Sequence, residues 1–405
     1  MGIIGSLTRS EHMPLMESVA TADVRPFRVE ISDDDLDDLH DRLERTRWPD
    51  QLPETGWSRG VPLDYLKGLA EYWRTGFDWR NQESRLNAFP QFTTEIDGQT
   101  IHFLHVRSPE PEALPLIISH GYPGSIAEFI EIIGPLTDPR AYGGDPGDAF
   151  HVVAPSIPGF GFSVPVRESG WVMPRITNAF AELMRRLGYE RYGAQGGDIG
   201  AGIIGMLANT QPDHVIGAHA NTDPTAFILL GDEIPIDTSG LSAAERDHVT
   251  RLQQRFQPDA KGYLQIQSTR PQTLAYSLHD SPVGQLAWIV EKFKEWTNPA
   301  ADLPENAVDR DQLLTNVSIY WFTGTGATAA NFLYDSYHSE EGWVPPSDVP
   351  QGMAVFNSDP ILRRLLDPEH AIGHWSEFER GGHFAAMEEP DLLVGDIRAF
   401  FRSVR

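Results

Sequence analysis

An aspartate sits at the centre of the run YGAQGGDIGAG, residues 192–202. A short β-prone stretch leads into it, and an apolar segment, residues 201–207, leads away. Asp198 in that place has an ordinary use, because a carboxylate accepts the free amide hydrogens of a helix's first turn. It also has a chemical one. A sharp strand-to-helix turn with small neighbours lifts its central side chain above a sheet, where a substrate can reach it. Gly196 and Gly200 would let strand and helix approach closely. A carboxylate at such a corner attacks carbon and leaves an ester on itself.

That chemistry requires companions, and each can be sought separately. An oxyanion needs two amide hydrogens, one after the nucleophile (Ile199) and one from the loop after an earlier strand. HGYPGS, residues 120–125, follows the apolar run LPLIIS and supplies Tyr122. An acid is expected at a later strand end, and Asp359 closes the run MAVFNSD. A histidine is expected after it, and His383 lies in the glycine turn of ERGGHFAAMEEP. Taken singly, these are a helix cap, a turn, a turn aspartate and a structural histidine. Their order of nucleophile, acid and histidine is that of the α/β-hydrolase fold, whose strand-to-helix corner usually carries serine.

The surrounding pattern provides the elements to hold them. FTTEI, then Asp97-Gly98, then TIHFLHV reads as a hairpin, since Asp-Gly suits the positive φ angles of a tight turn. LPLIISH and FHVVAPS are continuous apolar runs suited to strands buried on both faces. Helical periodicity over residues 126–136 and 176–187 alternates with them, which indicates an α/β core with a mostly parallel sheet. From about residue 222 the alternation lapses. Residues 226–345 read as a helical lid, with helices expected over 242–256, 283–296 and 311–334. The core then resumes at QGMAVFNSD and closes on a helix over 390–402. Residues 1–24 read as a flexible tail. Residues 25–91 read as an N-terminal helical extension: Ser32 before three aspartates starts one helix, with Leu36, Leu39 and Leu43 on one face. A second helix is expected over 63–74. The core is thus divided between residues 92–225 and 346–405.

Composition removes other classes. The chain has 405 residues, 32 basic against 58 acidic, for a net charge of −26. A nucleic-acid partner or an anionic membrane surface would be repelled. There is no cysteine, so thiolate chemistry, disulfides and zinc–thiolate sites are excluded. His102 and His105 are three apart on a strand and face opposite ways, so no metal site is expected there. The first residues lack a long apolar stretch. Gly2 to Ser6 match a myristoylation pattern without the basic cluster that stable anchoring needs. A cytoplasmic protein is expected, with a homodimer the commonest form should it assemble.

The same motifs carry a family resemblance. RTRWPDQLP, YLKGLAEYWRTGFDWR, IHFLHVRSPEP, HGYPGS, PSIPGFGFS, QGGDIG, GYLQIQSTRPQTLAYSLHDSPVG, NVSIYWFTGT and RGGHFAAMEEP together resemble the microsomal-type epoxide hydrolases, including their soluble bacterial members. The likeness runs from about residue 25 to the C-terminus. It implies a cofactor-free hydrolysis of a small-molecule epoxide to a vicinal diol. Asp198 would form the ester, His383 oriented by Asp359 would activate water, and the amides of Tyr122 and Ile199 would hold the oxyanion. Two lid tyrosines would protonate the leaving alkoxide. Tyr263 in GYLQIQ matches the first position. An ungapped reading puts Leu333 at the second, so Tyr334, one residue on, is assigned as the second acid, with Tyr337 a weaker substitute. A haloalkane dehalogenase would share the aspartate corner but not the helical extension. A ligand-binding protein that has lost turnover would keep the pocket alone. The substrate falls to detoxification or to a natural-product route, epoxides of enediyne antibiotics included.

Many relatives carry tryptophan where this chain has Ile199 and Tyr122. Backbone amides act at both places, so activity survives the change while the pocket's shape differs. Ile199→Trp is expected to shift preference from bulky towards small epoxides, read as the ratio of kcat/KM values for the two; an unchanged ratio removes Ile199 from specificity.

Overall fold

The structure is a computed structural model that describes residues 24–225, 240–255, 259–340 and 344–405. The run GYLQIQ and the corner at Asp198 lie within it, whereas the start of the expected lid, residues 226–239, lies outside the described residues.

One nine-stranded sheet organises the chain. Its strands are β1 (Arg25–Phe27), β2 (Gln91–Ile96), β3 (Gln99–Val106), β4 (Leu114–Ser119), β5 (Phe150–Pro155), β6 (Tyr192–Gly197), β7 (Val215–Thr222), β8 (Gln351–Val355) and β9 (His374–Glu377). They lie in the order β1-β2-β3-β5-β4-β6-β7-β8-β9. The first three add antiparallel, and every pairing from β5 to β9 is parallel. Asp97 (φ 50°) and Gly98 (φ 73°) make the β2–β3 turn with the positive angles a two-residue hairpin requires. β4, β5 and β6 are almost wholly buried, as expected for parallel strands covered by helices on both faces.

Both edge strands were absent from the sequence reading. β1 and β9 span 3 and 4 residues, too short for a period of two to register. The expected lid helix over 311–334 also differs. Gly324 adopts φ 66° and divides it into Arg310–Thr323 and Thr325–Tyr337. A left-handed residue ends a helix by redirecting the chain.

The helices Ala243–Arg255, Gly262–Thr269, Pro271–Asp280 and Pro282–Trp296 also fall between β7 and β8. The N-terminal extension grips this group. Trp73, buried on Leu63–Thr75, donates its indole N–H to Ser318 Oγ at 3.0 Å. Tyr65 and Tyr72 hydroxyls donate to Glu305 and Asp311 at 2.8 and 2.7 Å. At the opposite side of the sheet, Asp396 of the last helix, Pro390–Arg402, accepts from His219 and His374 at 2.8 and 2.9 Å. That pins the closing helix across β7 and β9. Among the described residues no helix is long and apolar enough to cross a membrane.

Candidate active site

β6 is a central strand, and the helix Ile199–Thr210 starts directly after it, leaving Asp198 alone at the corner. Its backbone is at φ 53°, ψ −128°, a region that costs a non-glycine residue about 1–3 kcal/mol and persists only where surroundings enforce it. The enforcement is close packing. A Cβ on Gly200 would stand 2.0 Å from the Ser119 carbonyl oxygen, and one on Gly196 would stand 2.6 Å from Gly200 itself. Glycine at both places lets the helix press on the end of β4. The Asp198 side chain makes no cap to its own helix. Its Oδ1 instead accepts the Tyr122 amide at 2.8 Å, and its Oδ2 lies 3.5 Å from His383 Nε2. The helix-cap use of this aspartate is therefore not the one the fold makes of it.

A second run, Gly56-Trp57-Ser58-Arg59-Gly60, has the spacing of a serine corner. It lies in the loop before Leu63–Thr75, where the exposed Ser58 donates to the Thr55 carbonyl at 2.7 Å. Among the described residues no strand leads into it.

The HGYPGS loop is held from two directions. His120 is buried, and its Nδ1 donates to the Gly121 carbonyl at 3.0 Å while Nε2 accepts the Ile157 amide at 3.2 Å. Burial brings its pKa down to about 4, so the ring stays neutral and holds that tautomer. From the lid side, Asn316 Nδ2 donates to the Pro123 carbonyl (2.8 Å) and Tyr320 donates to the Gly124 carbonyl (2.9 Å). Tyr320 thus secures the loop. Ile199 is the first residue of its helix, so its N–H has no acceptor within the helix and remains available beside that of Tyr122.

His383 reaches the corner from the loop before Ala385–Glu388. Its amide donates to the Trp296 carbonyl at 2.9 Å, and its ring packs against Trp296 and Phe384 with centroids 5.1 and 5.0 Å away. Nδ1 faces Thr225 Oγ1 at 3.2 Å and Asp223 Oδ1 at 3.5 Å. Burial alone would lower this histidine's pKa. The hydrogen bond to Asp223 and the charges of Asp198 and Asp223 outweigh it and raise the value to about 9.

Asp359 is not the carboxylate at that histidine. Its Oδ2 hydrogen-bonds with His248 Nε2 at 2.7 Å, and its Oδ1 accepts the Ile361 amide at 3.0 Å. Asp359 lies four residues beyond the end of β8, past Asn357 at φ 44°, where the chain has already turned into the helix Ile361–Leu366. Asp223, by contrast, is the first residue after β7, level with the corner. The sequence reading missed it. The stretch before it, VIGAHANT, carries His219, Asn221 and Thr222 and so lacks a clean apolar signal.

The lid contributes Tyr263 and not Tyr334. Tyr263 is 8% exposed, stacked on Tyr122 with ring centroids 6.0 Å apart, and edge-on to Trp296 at 5.3 Å. Burial and the charge of Asp198 push its phenol well above the usual value, which keeps the proton on it. Tyr334 is 37% exposed and stacks on His338 at 4.1 Å. One residue turns a helix by about 100°, so Leu333 takes the core-facing position and Tyr334 the outward one. Tyr337, one turn after Leu333 and so on its side of the helix, acts electrostatically on Tyr263. Inside the site, the Tyr122 hydroxyl accepts Trp288 Nε1–H at 2.6 Å and Gln267 Nε2–H at 2.9 Å. A small cavity touches Asp198, Tyr122, His383, Asn221 and Glu128. Burial pushes the Glu128 carboxyl up to about 8.

With this geometry established, comparison with known proteins identifies the family. The family model for the epoxide hydrolase N terminus matches residues 24–129, and that for the alpha/beta hydrolase fold matches residues 115–231. A Stigmatella aurantiaca relative is 44% identical over 385 residues, 94% of this chain and 86% of that one. Epoxide hydrolase 1 of Sus scrofa is 38% identical over 401 residues, 93% of this chain and 88% of that one. The structure of the Aspergillus niger epoxide hydrolase superposes with a TM-score of 0.79 at 32% identity, covering 96% of this chain and 98% of that one. An aspartate at a strained strand-to-helix corner, a histidine on its carboxylate and relatives that match across nearly the whole length agree, and the chain belongs to the epoxide hydrolases of the α/β-hydrolase fold, which convert an epoxide and water to a vicinal diol through an aspartyl ester.

Proposed function

We propose that Asp198 is the nucleophile, His383 the base and Tyr263 a proton donor in this reaction, and that the amides of Tyr122 and Ile199 form the oxyanion hole. The observation that carries this reading is the division of the Asp198 carboxylate, with Oδ1 on the Tyr122 amide and Oδ2 towards His383.

In the first half-reaction an Asp198 oxygen attacks an epoxide carbon. The carbon–oxygen bond of the ring breaks, and Tyr263 gives its proton to the alkoxide. The Tyr122 hydroxyl supports the same step. Both its lone pairs are engaged by Trp288 and Gln267, so what remains to offer is its proton. That engagement also argues against dehalogenation, because the two lid N–H groups that could hold a departing halide point at Tyr122 instead.

In the second half-reaction His383 Nε2 takes a proton from water, and the hydroxide adds to the Asp198 carboxyl carbon. The charge gathers on Oδ1, between the two amides, each worth roughly 3 kcal/mol in comparable sites. Collapse breaks the bond between the Asp198 carboxyl carbon and the oxygen it gave to the substrate. His383 returns its proton to that oxygen, the remaining proton of the water restores the Tyr263 phenol, and the diol leaves with Asp198 again a carboxylate. Electrostatics time this exchange. While Asp198 is an anion it helps hold the proton on His383. Once Asp198 is an uncharged ester that contribution is gone, and the ring becomes a base at the step that needs one.

The substrate proposed is a small-molecule epoxide with apolar substituents, since Tyr122, Tyr263 and Trp296 wall the approach.

His383→Gln is expected to trap the ester, seen as a gain in intact-protein mass equal to one epoxide, with diol release slowed on the order of 10²-fold or more. Tyr263→Phe is expected to slow ester formation instead, by roughly 10–10²-fold, leaving ester decay little changed in a rapid-quench assay. The His383 titration followed by NMR should fall from its free-enzyme midpoint of about 9 in Asp198→Asn, because removing the anion disfavours the imidazolium; an unmoved midpoint contradicts the coupling.

A further inference from the structure

We propose that Asp223, and not Asp359, is the carboxylate that positions His383 for ester hydrolysis, and that Asp359 with His248 latches the lid helix Ala243–Arg255 to the end of β8. This rests on the reading of Asp198 and His383 given above.

Placement in the sheet favours Asp223. β7 lies beside β6, with Asn221 in register with Gly197. The residue after its last position therefore stands at the same sheet edge as the nucleophile. Asp223 is 3% exposed there. Thr225 Oγ1 donates its one proton to Asp223 Oδ1 at 2.5 Å, so its oxygen can only accept on the side facing His383. Nδ1 consequently meets two acceptors, Thr225 Oγ1 at 3.2 Å and Asp223 Oδ1 at 3.5 Å. Both acceptors require the hydrogen on Nδ1. Nε2 is then left bare of hydrogen in the neutral ring, on the side of Asp198, as a base there must be.

The contacts of Asp359 lie elsewhere: its Oδ1 accepts the Ile361 amide, and its Oδ2 meets His248 on a different element. Those bonds join the start of Ile361–Leu366 to the lid helix. The pair is partly exposed, with side chains 17% and 38% accessible, which suits a contact that can open. Other groups around His383 are Asp198, Thr225 and the aromatic rings of Trp296 and Phe384, together with the carboxyls of Glu128 and Glu388, which act on it electrostatically. Among these, Asp223 supplies the anion on the Nδ1 side.

The experiment is a rapid-quench single turnover of the full chain with styrene oxide, following intact-protein mass for the ester and diol for its decay. Asp223→Asn should form the ester at close to the wild-type rate and lose it on the order of 10⁴-fold more slowly, as when a triad aspartate becomes an amide. Asp359→Asn should change decay by less than about threefold, on the scale of a partly exposed contact. Thr225→Val, which keeps the carboxylate, should slow decay by about tenfold, the loss of one hydrogen bond. The NMR midpoint of His383 should fall in Asp223→Asn and stay in place in Asp359→Asn, a shift that a merely structural role would not produce. Slow decay in Asp359→Asn with normal decay in Asp223→Asn overturns the proposal, and Asp359→Asn decides the matter even if Asp223→Asn does not fold. Diol production by the wild type without any ester removes the underlying reading, and the proposal with it.

Discussion

The strained backbone of Asp198 is the constraint on which the rest of this molecule turns. A positive φ at a non-glycine residue is stable only if both flanks are fixed, and here both are. β6 is hydrogen-bonded between β4 and β7, and the helix that follows is pressed against the carbonyl of Ser119. The parallel sheet supplies rigidity, and the absence of side chains at Gly196 and Gly200 permits the contact. A carboxylate placed this way cannot fold back to cap its own helix. Its two oxygens are offered to two different partners, one for each of the two half-reactions proposed.

The elements around the corner serve to keep those partners still. The HGYPGS loop, which the proposed mechanism uses as its oxyanion loop, is bound beneath by His120 and above by Asn316 and Tyr320. The lid helix that carries Asn316 and Tyr320 is bound in turn by Trp73 and Tyr72 of the N-terminal extension. A chain of hydrogen bonds therefore runs from the first helices of the protein to the amide that touches Asp198. This gives the extension a physical purpose that its sequence alone did not disclose. It acts as a buttress for the lid, and through the lid for the oxyanion loop.

The corner, its glycines, the loop at Tyr122 and the histidine were legible because each depends on local sequence. A glycine-flanked aspartate between an apolar strand and a helix has few structural meanings, and HGYPGS follows its strand directly. The edge strands were not legible, since three or four residues paired at a sheet margin carry no pattern of their own. The carboxylate beside His383 was not foreseen for a different reason. Asp223 and Asp359 both follow strands of the sheet, and only the spatial order of β6, β7 and β8 sets which of them stands at His383. The second tyrosine failed on helical phase: Tyr334 is one residue from the expected place, and one residue is enough to turn it outward. Sequence spacing thus carried the local geometry well and the long-range choice between equivalent residues poorly.

The central claim is that the oxygen delivered to the substrate comes from Asp198. A single turnover of styrene oxide in water enriched in oxygen-18, with excess enzyme, tests it directly. The account predicts heavy oxygen in the peptide containing Asp198 and ordinary oxygen in the first diol formed. Heavy oxygen passing straight into the diol, with the Asp198 peptide unlabelled, would mean that water attacks the epoxide itself, and would contradict the account.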